Sequence, residues 1–433
     1  MPEQLNYQTL KSAVEMSAAF RCRTKLQPAG GQGDKVFPPT YAESKYALEK
    51  RRLAGYDEPV VCVLMDSVQS QANRFEEALQ DAVDEDRVQV PIVEVDFSHI
   101  PIVEPGSTES GLYEPIGRLT SLETPHRIAD AILRDSELDG VPFRQTEAGK
   151  KVSLTTLRNA TPLLEINPTA LVLGLWDSTG PKGGLGVKFQ RALVSEIIGV
   201  NASLGVKTES RIDPLAIQRS SGPLYEAKNG GWTLDANEAV KVKSKPKLLG
   251  KDGRPSEGNH GNIVPSISKT TSSPFEDNVR IPLAGGVTID YAEQTTVLSL
   301  PALRRLKFPI GESMKHDQQS NSKAQTALAA LALCGSVLAA ERGMDLRSRC
   351  LLWPEELPQW ELLGAPGETP RTFSLTSEAV VELLREAVDH LKESGLPWRT
   401  EPIRLKPTKK LAELVQKSQA LAVESKGENG DDS

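Results

Sequence analysis

LVLGLWDSTGPKGGLGVKFQRALVSEIIG, residues 171–199, is the stretch whose reading decides the rest of the chain. It reads as an apolar strand over Ala170 to Leu175, a glycine-rich loop carrying Lys182, and a helix that begins basic with Lys188 and Arg191. A loop that ends at a helix N-terminus gathers backbone N–H groups and the positive end of the helix dipole, so a phosphate-bearing partner is the first expectation. The spacing departs from both standard nucleotide loops: GPKGGLGVK contains neither G-x-x-x-x-G-K-[ST] nor G-x-G-x-x-G. Glycine there also serves a tight turn with positive φ. The loop by itself leaves a nucleotide, a nucleic acid and a plain turn open.

Composition adds no global signature. The 433 residues carry 51 basic and 58 acidic side chains, a net charge of −7, whereas many nucleic-acid binders are strongly basic. The acid is concentrated between Glu76 and Asp96, where carboxylates at 76, 77, 81, 84, 85, 86, 94 and 96 face a single Arg87. The remainder is close to neutral and leaves room for a local basic groove. Cys22, Cys62, Cys334 and Cys350 form no C-x-x-C pair and read as buried, reduced thiols of a cytoplasmic protein. No charged-then-apolar segment opens the chain. AQTALAALALCGSVLAA (324–340) is apolar but short, and carries Gln325, Thr326 and Ser336, so it reads as a buried core helix rather than a membrane span.

Along the chain, Tyr7 to Phe20 forms a short helix and LQPAGGQGDKVFPPTY (26–41) an irregular connector or a substrate-touching loop. VVCVLM (60–65) has the continuous apolarity of a strand buried on both faces, and Asp66-Ser67 then cap a helix with apolar positions Val68, Ala72, Phe75, Leu79 and Val83. Its other face begins with Gln69, Gln71, Asn73 and Arg74. Val90 to Val103 reads as strand, Pro115 to Asp139 as helix, and VKTESRID as strand. Asn229-Gly230-Gly231 marks a hairpin within a basic excursion from Lys228 to Arg254, either a projecting arm or a solvated insertion. VTIDYAEQTTVLSL (287–300) alternates as a strand, Ser377 to Ser394 is an amphipathic helix closed by Gly395, Lys409 to Val423 is a terminal helix, and the final GENGDDS is an unstructured tail.

Catalytic chemistry finds little support. The five histidines are scattered, with no H-x-x-x-H or H-E-x-x-H pair, and no G-x-S-x-G occurs. No nucleophile has a credible base, and neither a metal nor another cofactor is expected. What remains is binding through basic segments at 21–35, 182–191, 241–254 and 304–307, with Trp176, Phe189 and Trp232 as planar side chains, the two ingredients of a single-strand groove. A phosphate- or nucleotide-binding enzyme built on the Gly180–Gly186 loop is the alternative, and a purely structural assembly subunit a third.

Four phrases occur in order: LQPAGGQGDKVFPPTY (26–41), LMDSVQSQANRFEEAL (64–79), LGLWDSTGPKGGLGVKFQRALVSEIIGVNA (173–202) and GGVTIDYAEQTTVLSLPALRRLKFP (285–309). Together they resemble the RAMP-superfamily backbone subunit of the type I-G (formerly I-U) CRISPR effector complex. The resemblance implies an α+β fold: a modified RRM or ferredoxin-like palm with a helical fingers insertion and a β-hairpin thumb. Fitted to this chain, it gives an N-terminal segment with the Gly/Pro-rich loop (1–59), palm (60–96), fingers (97–165), palm (166–219), thumb (220–280), palm and core helix (281–345) and a C-terminal helical extension (346–433). The resemblance further implies a non-enzymatic protein whose copies polymerise along CRISPR RNA and present its spacer to target DNA. Its other partners would be a large subunit, a repeat-end-binding subunit and a recruited helicase-nuclease. Such a protein holds RNA by its backbone, because guide sequence varies. The expected RNA-binding residues are Lys182, Lys188, Arg191, Gln71, Asn73, Arg74, Arg23, Lys25 and Arg158.

Overall fold

In AFRCRTKLQP, residues 19–28, Phe20, Cys22, Thr24 and Leu26 are buried while Arg21, Arg23, Lys25 and Gln27 face outward, the period-two pattern of a strand with one covered face. This strand is the centre of the main sheet. The computed structural model describes residues 3–104, 111–180, 187–217, 221–249, 263–267, 269–311 and 317–428. In chain order its main elements are α1 (Tyr7–Met16), β1 (Ala19–Pro28), β2 (Leu48–Arg51), β3 (Val60–Asp66), α2 (Val68–Asp84), β4 (Leu193–Val200), β5 (Tyr291–Ser299), α3 (Gln318–Glu341), β6 (Met344–Asp345), β7 (Leu351–Pro354), β8 (Trp360–Leu363), β9 (Arg371–Phe373) and α4 (Ser377–Glu393). The nine-stranded sheet runs β6-β7-β1-β5-β4-β3-β2, with β8 pairing β1 and β9. Every pairing within it is antiparallel.

Within that order, β1-α2-β4-β5-α3-β7 is a β-α-β-β-α-β unit with spatial order β7-β1-β5-β4. That is the ferredoxin-like strand order of an RRM-like fold. The fold is therefore α+β, but its first central strand is Ala19–Pro28. Val60–Asp66, expected as the opening palm strand, instead adds to the β4 edge together with β2. The expected burial of both faces of β3 holds, with Val63 and Met65 inward and Cys62 in an outer cluster with Ile198, Val200, Tyr56 and Tyr291, but apolarity does not fix a strand's place in the sheet order. The larger correction concerns residues 171–199. Thr169–Leu173 is helical, and the expected basic helix is the strand β4, which buries Leu193, Ser195 and Ile197 through Val200. β-Branched Val194, Ile197, Ile198 and Val200 favour a strand there.

α3 is long and apolar enough to cross a membrane by length and composition, yet it is largely buried, packed against α1, α2 and α4. All four cysteines are free and buried. Burial pushes the thiols of Cys334 and Cys350 up to about 12 and that of Cys22 up to about 11. A disulfide-exchange reagent at pH 8 is accordingly expected to label none of the four in the native chain within minutes, and all four in denaturant; rapid native labelling would contradict this packing.

A second sheet changes the expected division of the chain. Arg118–Thr120, Val93–Asp96, Ile403–Pro407, Ser136–Leu138 and Val141–Pro142 form five strands in that order. The insertion at 97–165 is thus not simply helical, and the 346–433 segment is more than a helical extension. It supplies strands to both sheets as well as the helices Ser377–Glu393 and Lys409–Glu428. The acidic run is consumed here and nearby. Arg127 meets Glu76, Arg342 meets Glu77 and Asp81, Arg118 meets Asp84 and Glu94, and Arg404 meets Glu94. Five of its eight carboxylates thus meet arginines distant in sequence.

Residues 103–113, 204–286 and 415–433 form a second compact unit. It is built from short hairpins, including Tyr225–Glu226 with Trp232–Thr233 and Lys241–Val242 with Lys245–Pro246. The first closes through Gly230 and Gly231 at φ 89° and 73°, a left-handed pair that explains the Asn-Gly-Gly signal. Lys241, Lys243 and Lys245 are exposed. The expected arm at 220–280 lies inside the 204–286 segment of this unit; Lys251, Arg254 and the last residues of the tail lie outside the described residues.

Candidate nucleic-acid interface

The glycine-rich loop is carried not on a helix but on a two-stranded ribbon, Leu175–Trp176 against Lys188–Phe189. Leu175 and Phe189 point inward and are buried, whereas the opposite pair, Trp176 and Lys188, faces solvent. Trp176 is 60% exposed, and the Lys188 ammonium sits 5.6 Å from the centre of its ring. An exposed indole beside a cation is a stacking surface next to a phosphate-attracting charge. The base of the loop is fixed from below. Arg144 donates to the Asp177 carboxylate at 2.8 Å and to the Thr179 carbonyl at 2.8 Å, while the Thr179 amide donates to the same Asp177 oxygen at 3.2 Å. That clamp accounts for the Asp-Ser-Thr that precedes the glycines. Arg144 was not legible as a partner because it lies 33 residues upstream of Asp177. Lys182 and the rest of 181–186 lie outside the described residues.

Arg191 takes a different direction. Its side chain is half-buried, and its Nε is buried without an acceptor among the described residues. Beside it Arg127 grips Glu76 with two hydrogen bonds, 2.6 and 2.7 Å, and donates to the Gly174 carbonyl at 3.2 Å. Burial pushes the Glu76 carboxyl up to about 7 against the pull of the Arg127 guanidinium, and Arg191 adds to that pull. Burial, then repulsion from Arg127, lowers the Arg191 value, with Glu76 opposing. Arg191 thus stands half-buried beside the Arg127–Glu76 pair, where Glu76 attracts its charge and Arg127 repels it.

Gln71 and Arg74, both expected on RNA, are structural. Gln71 is 1% exposed: it donates to Asp66 at 2.6 Å and accepts from Ser195 and Gln294, each at 2.8 Å. Arg74 donates to Asp66 at 2.9 Å and to the Leu346 carbonyl at 2.8 Å. The phrase DSVQSQANR thus ties α2 to the buried face of the sheet, with Ser67, not Asp66, accepting at the helix N-cap. Asn73 is exposed on the same helix, and Arg158 is exposed in a loop. Arg23 and Lys25 face outward but are paired, Arg23 with Glu293 at 2.6 Å and Lys25 with Glu355 at 3.0 Å. Arg21 with Glu361 and Arg51 with Glu196 complete a face of alternating ion pairs. Of the basic segment 304–307, Arg304 donates to the carbonyls of Val14 and Ser17 and so caps the end of α1. The described site residues are thus not gathered in one place; among them Lys188 alone stands beside an exposed aromatic ring of the loop ribbon.

Residues 20–204, just under half of the chain, match the model of a family described as CRISPR-associated protein GSU0053. One chain of a solved CRISPR RNA-guided surveillance complex, in a pre-nicking state, aligns over 93% of this chain and 99% of its own at 8% identity and a TM-score of 0.34. That likeness is too slight to argue from. No curated protein matches.

Proposed function

We propose that this chain is a non-enzymatic CRISPR RNA-binding backbone subunit of a type I effector complex, of the I-G kind. In this reading, copies assemble side by side on the guide spacer in the cytoplasm and present it to target DNA, alongside a large subunit, a repeat-end-binding subunit and a recruited helicase-nuclease. The observation that carries the reading is the match of residues 20–204 to a CRISPR-associated family, the span that contains two strands and one helix of the RRM-like unit. The exposed Trp176 and Lys188 pair on a ribbon clamped by Arg144 adds a surface suited to single-stranded RNA. Protein expressed with a CRISPR array is expected to purify with a 260/280 nm absorbance ratio well above that of protein alone, and sequencing the bound RNA should return repeat-spacer transcripts. Ribonuclease should then dissolve its oligomers. A nucleic-acid-free monomer that instead binds a nucleoside triphosphate would return the loop to the enzyme alternative.

A further inference from the structure

Most cations on the open face of the main sheet are neutralised, but its Pro28 end is an exception. Arg347 and Arg349, in the turn between β6 and β7, are exposed and pair with no carboxylate among the described residues. Both are nevertheless held in place. Arg347 donates to the Pro38 carbonyl at 3.2 Å, leaving most of its donor fork outward, and Arg349, at φ 58°, lays its guanidinium 4.2 Å from the centre of the Phe37 ring. Lys35 sits 5.6 Å from that same ring. The nearby Asp34 is folded back onto its own loop: it accepts the Lys35 amide at 2.9 Å, and a Cβ on Gly30 would lie 2.1 Å from its carboxylate. Asp345 lies in β6.

Aromatic surface adjoins these charges. Trp353 on β7 is 69% exposed and lies directly across from Gln27 on β1. Leu26 pairs with Ala292 on the other side of β1, so the next level of the sheet carries Trp353, Gln27 and Tyr291 on three adjacent strands. The Lys25 ammonium stands 5.0 Å over the Tyr291 ring. A row of planar side chains across an open sheet, rimmed by guanidiniums that meet no carboxylate among the described residues, fits a chain that alternates flat bases with phosphates.

We infer that the Pro28 end of the main sheet is a contact surface for single-stranded nucleic acid, on which Arg347 and Arg349 hold phosphate and Trp353 stacks a base. The inference rests on the RNA-binding reading above, but on residues that reading does not use. Its test is anisotropy of a fluorescein-labelled, mixed-sequence oligoribonucleotide titrated with the full chain across a salt series. R347A/R349A should flatten the log–log salt slope by about 1.4, roughly 0.7 per phosphate contact on a single strand, and R347K/R349K should restore it. W353A should weaken binding about fivefold to a hundredfold with the slope unchanged, as loss of one stacked base implies, and W353F should recover most of it. Unaltered melting curves would verify the fold of each variant. Parent-like affinity and slope in R347A/R349A and W353A would overturn this surface while leaving the RNA-binding reading intact. The same holds if these variants bind RNA normally but fail to join another protein, which would make the surface a protein interface. No binding by the unaltered chain would remove both.

Discussion

Replacing Arg127 with alanine is expected to destabilise the fold by about 3–5 kcal/mol, because it strands the Glu76 carboxylate in the interior. The pair is buried on both sides and bidentate. Arg127 holds it from a left-handed backbone, φ 52°, a conformation that costs a non-glycine residue about 1–3 kcal/mol and persists only where its surroundings dictate it. The sign of the pH dependence follows from Glu76. Its folded-state value, about 7, is raised by burial above that of an unfolded glutamate. Folding therefore favours the protonated form, and its contribution is full below the unfolded value and lost as pH rises through about 7. Without Arg127 the interior carboxylate is still harder to ionise, so the R127A penalty in a urea titration should be greater at pH 8 than at pH 5.5. Replacing both partners with apolar residues, E76M/R127L, should cost less than R127A alone. A double variant that loses the sum of the two single losses at both pH values would show that the two side chains are not coupled.

The same pair marks the boundary of what the sequence could convey. Periodicity located α2 and the amphipathic helix at 377–393, because each repeats its apolar residues at helical spacing over several turns, and a continuous apolar run located α3. It placed β5 and the Asn-Gly-Gly hairpin for equally local reasons. It failed at 193–200, where Arg191 and Ala192 led into a run that satisfies helix and strand patterns alike, and the choice was made by pairing with β3 and β5. Nothing local announces that Ile403–Pro407 will join Val93–Asp96 in parallel. Nor does anything local show that the acidic run will be paired, because its arginine partners, at 118, 127, 342 and 404, are dispersed. For the candidate site, residue type was a poor guide to accessibility. Gln71 and Arg74 are polar because the core beneath the sheet is polar, with Asp66, Ser195, Thr296 and Gln294 bonded in one network. Trp176 and Lys188 were visible as residue types, but their opposition on one ribbon needed the pairing register.

That register separates two lysine and arginine contacts that the sequence had grouped together. Changing Lys182, Lys188 and Arg191 jointly to alanine is expected to weaken RNA binding, but the structure assigns the loss unequally. K188A removes an exposed charge and should flatten the salt slope by about 0.7 with little change in melting temperature. W176A removes the exposed ring beside it and should weaken binding by about 1–3 kcal/mol, with the slope kept. R191A should do the reverse of K188A: melting falls, because a half-buried side chain that packs at Gly174 with its Nε inside is lost, while the salt slope stays near that of the parent. R144A offers a further distinction. It releases the Asp177 to Thr179 turn without touching the ribbon's exposed face, so affinity should fall through loop disorder, again with the slope preserved. If R191A flattens the slope and K188A does not, the phosphate path runs through the buried side of the ribbon, and the Trp176 and Lys188 face is not the contact.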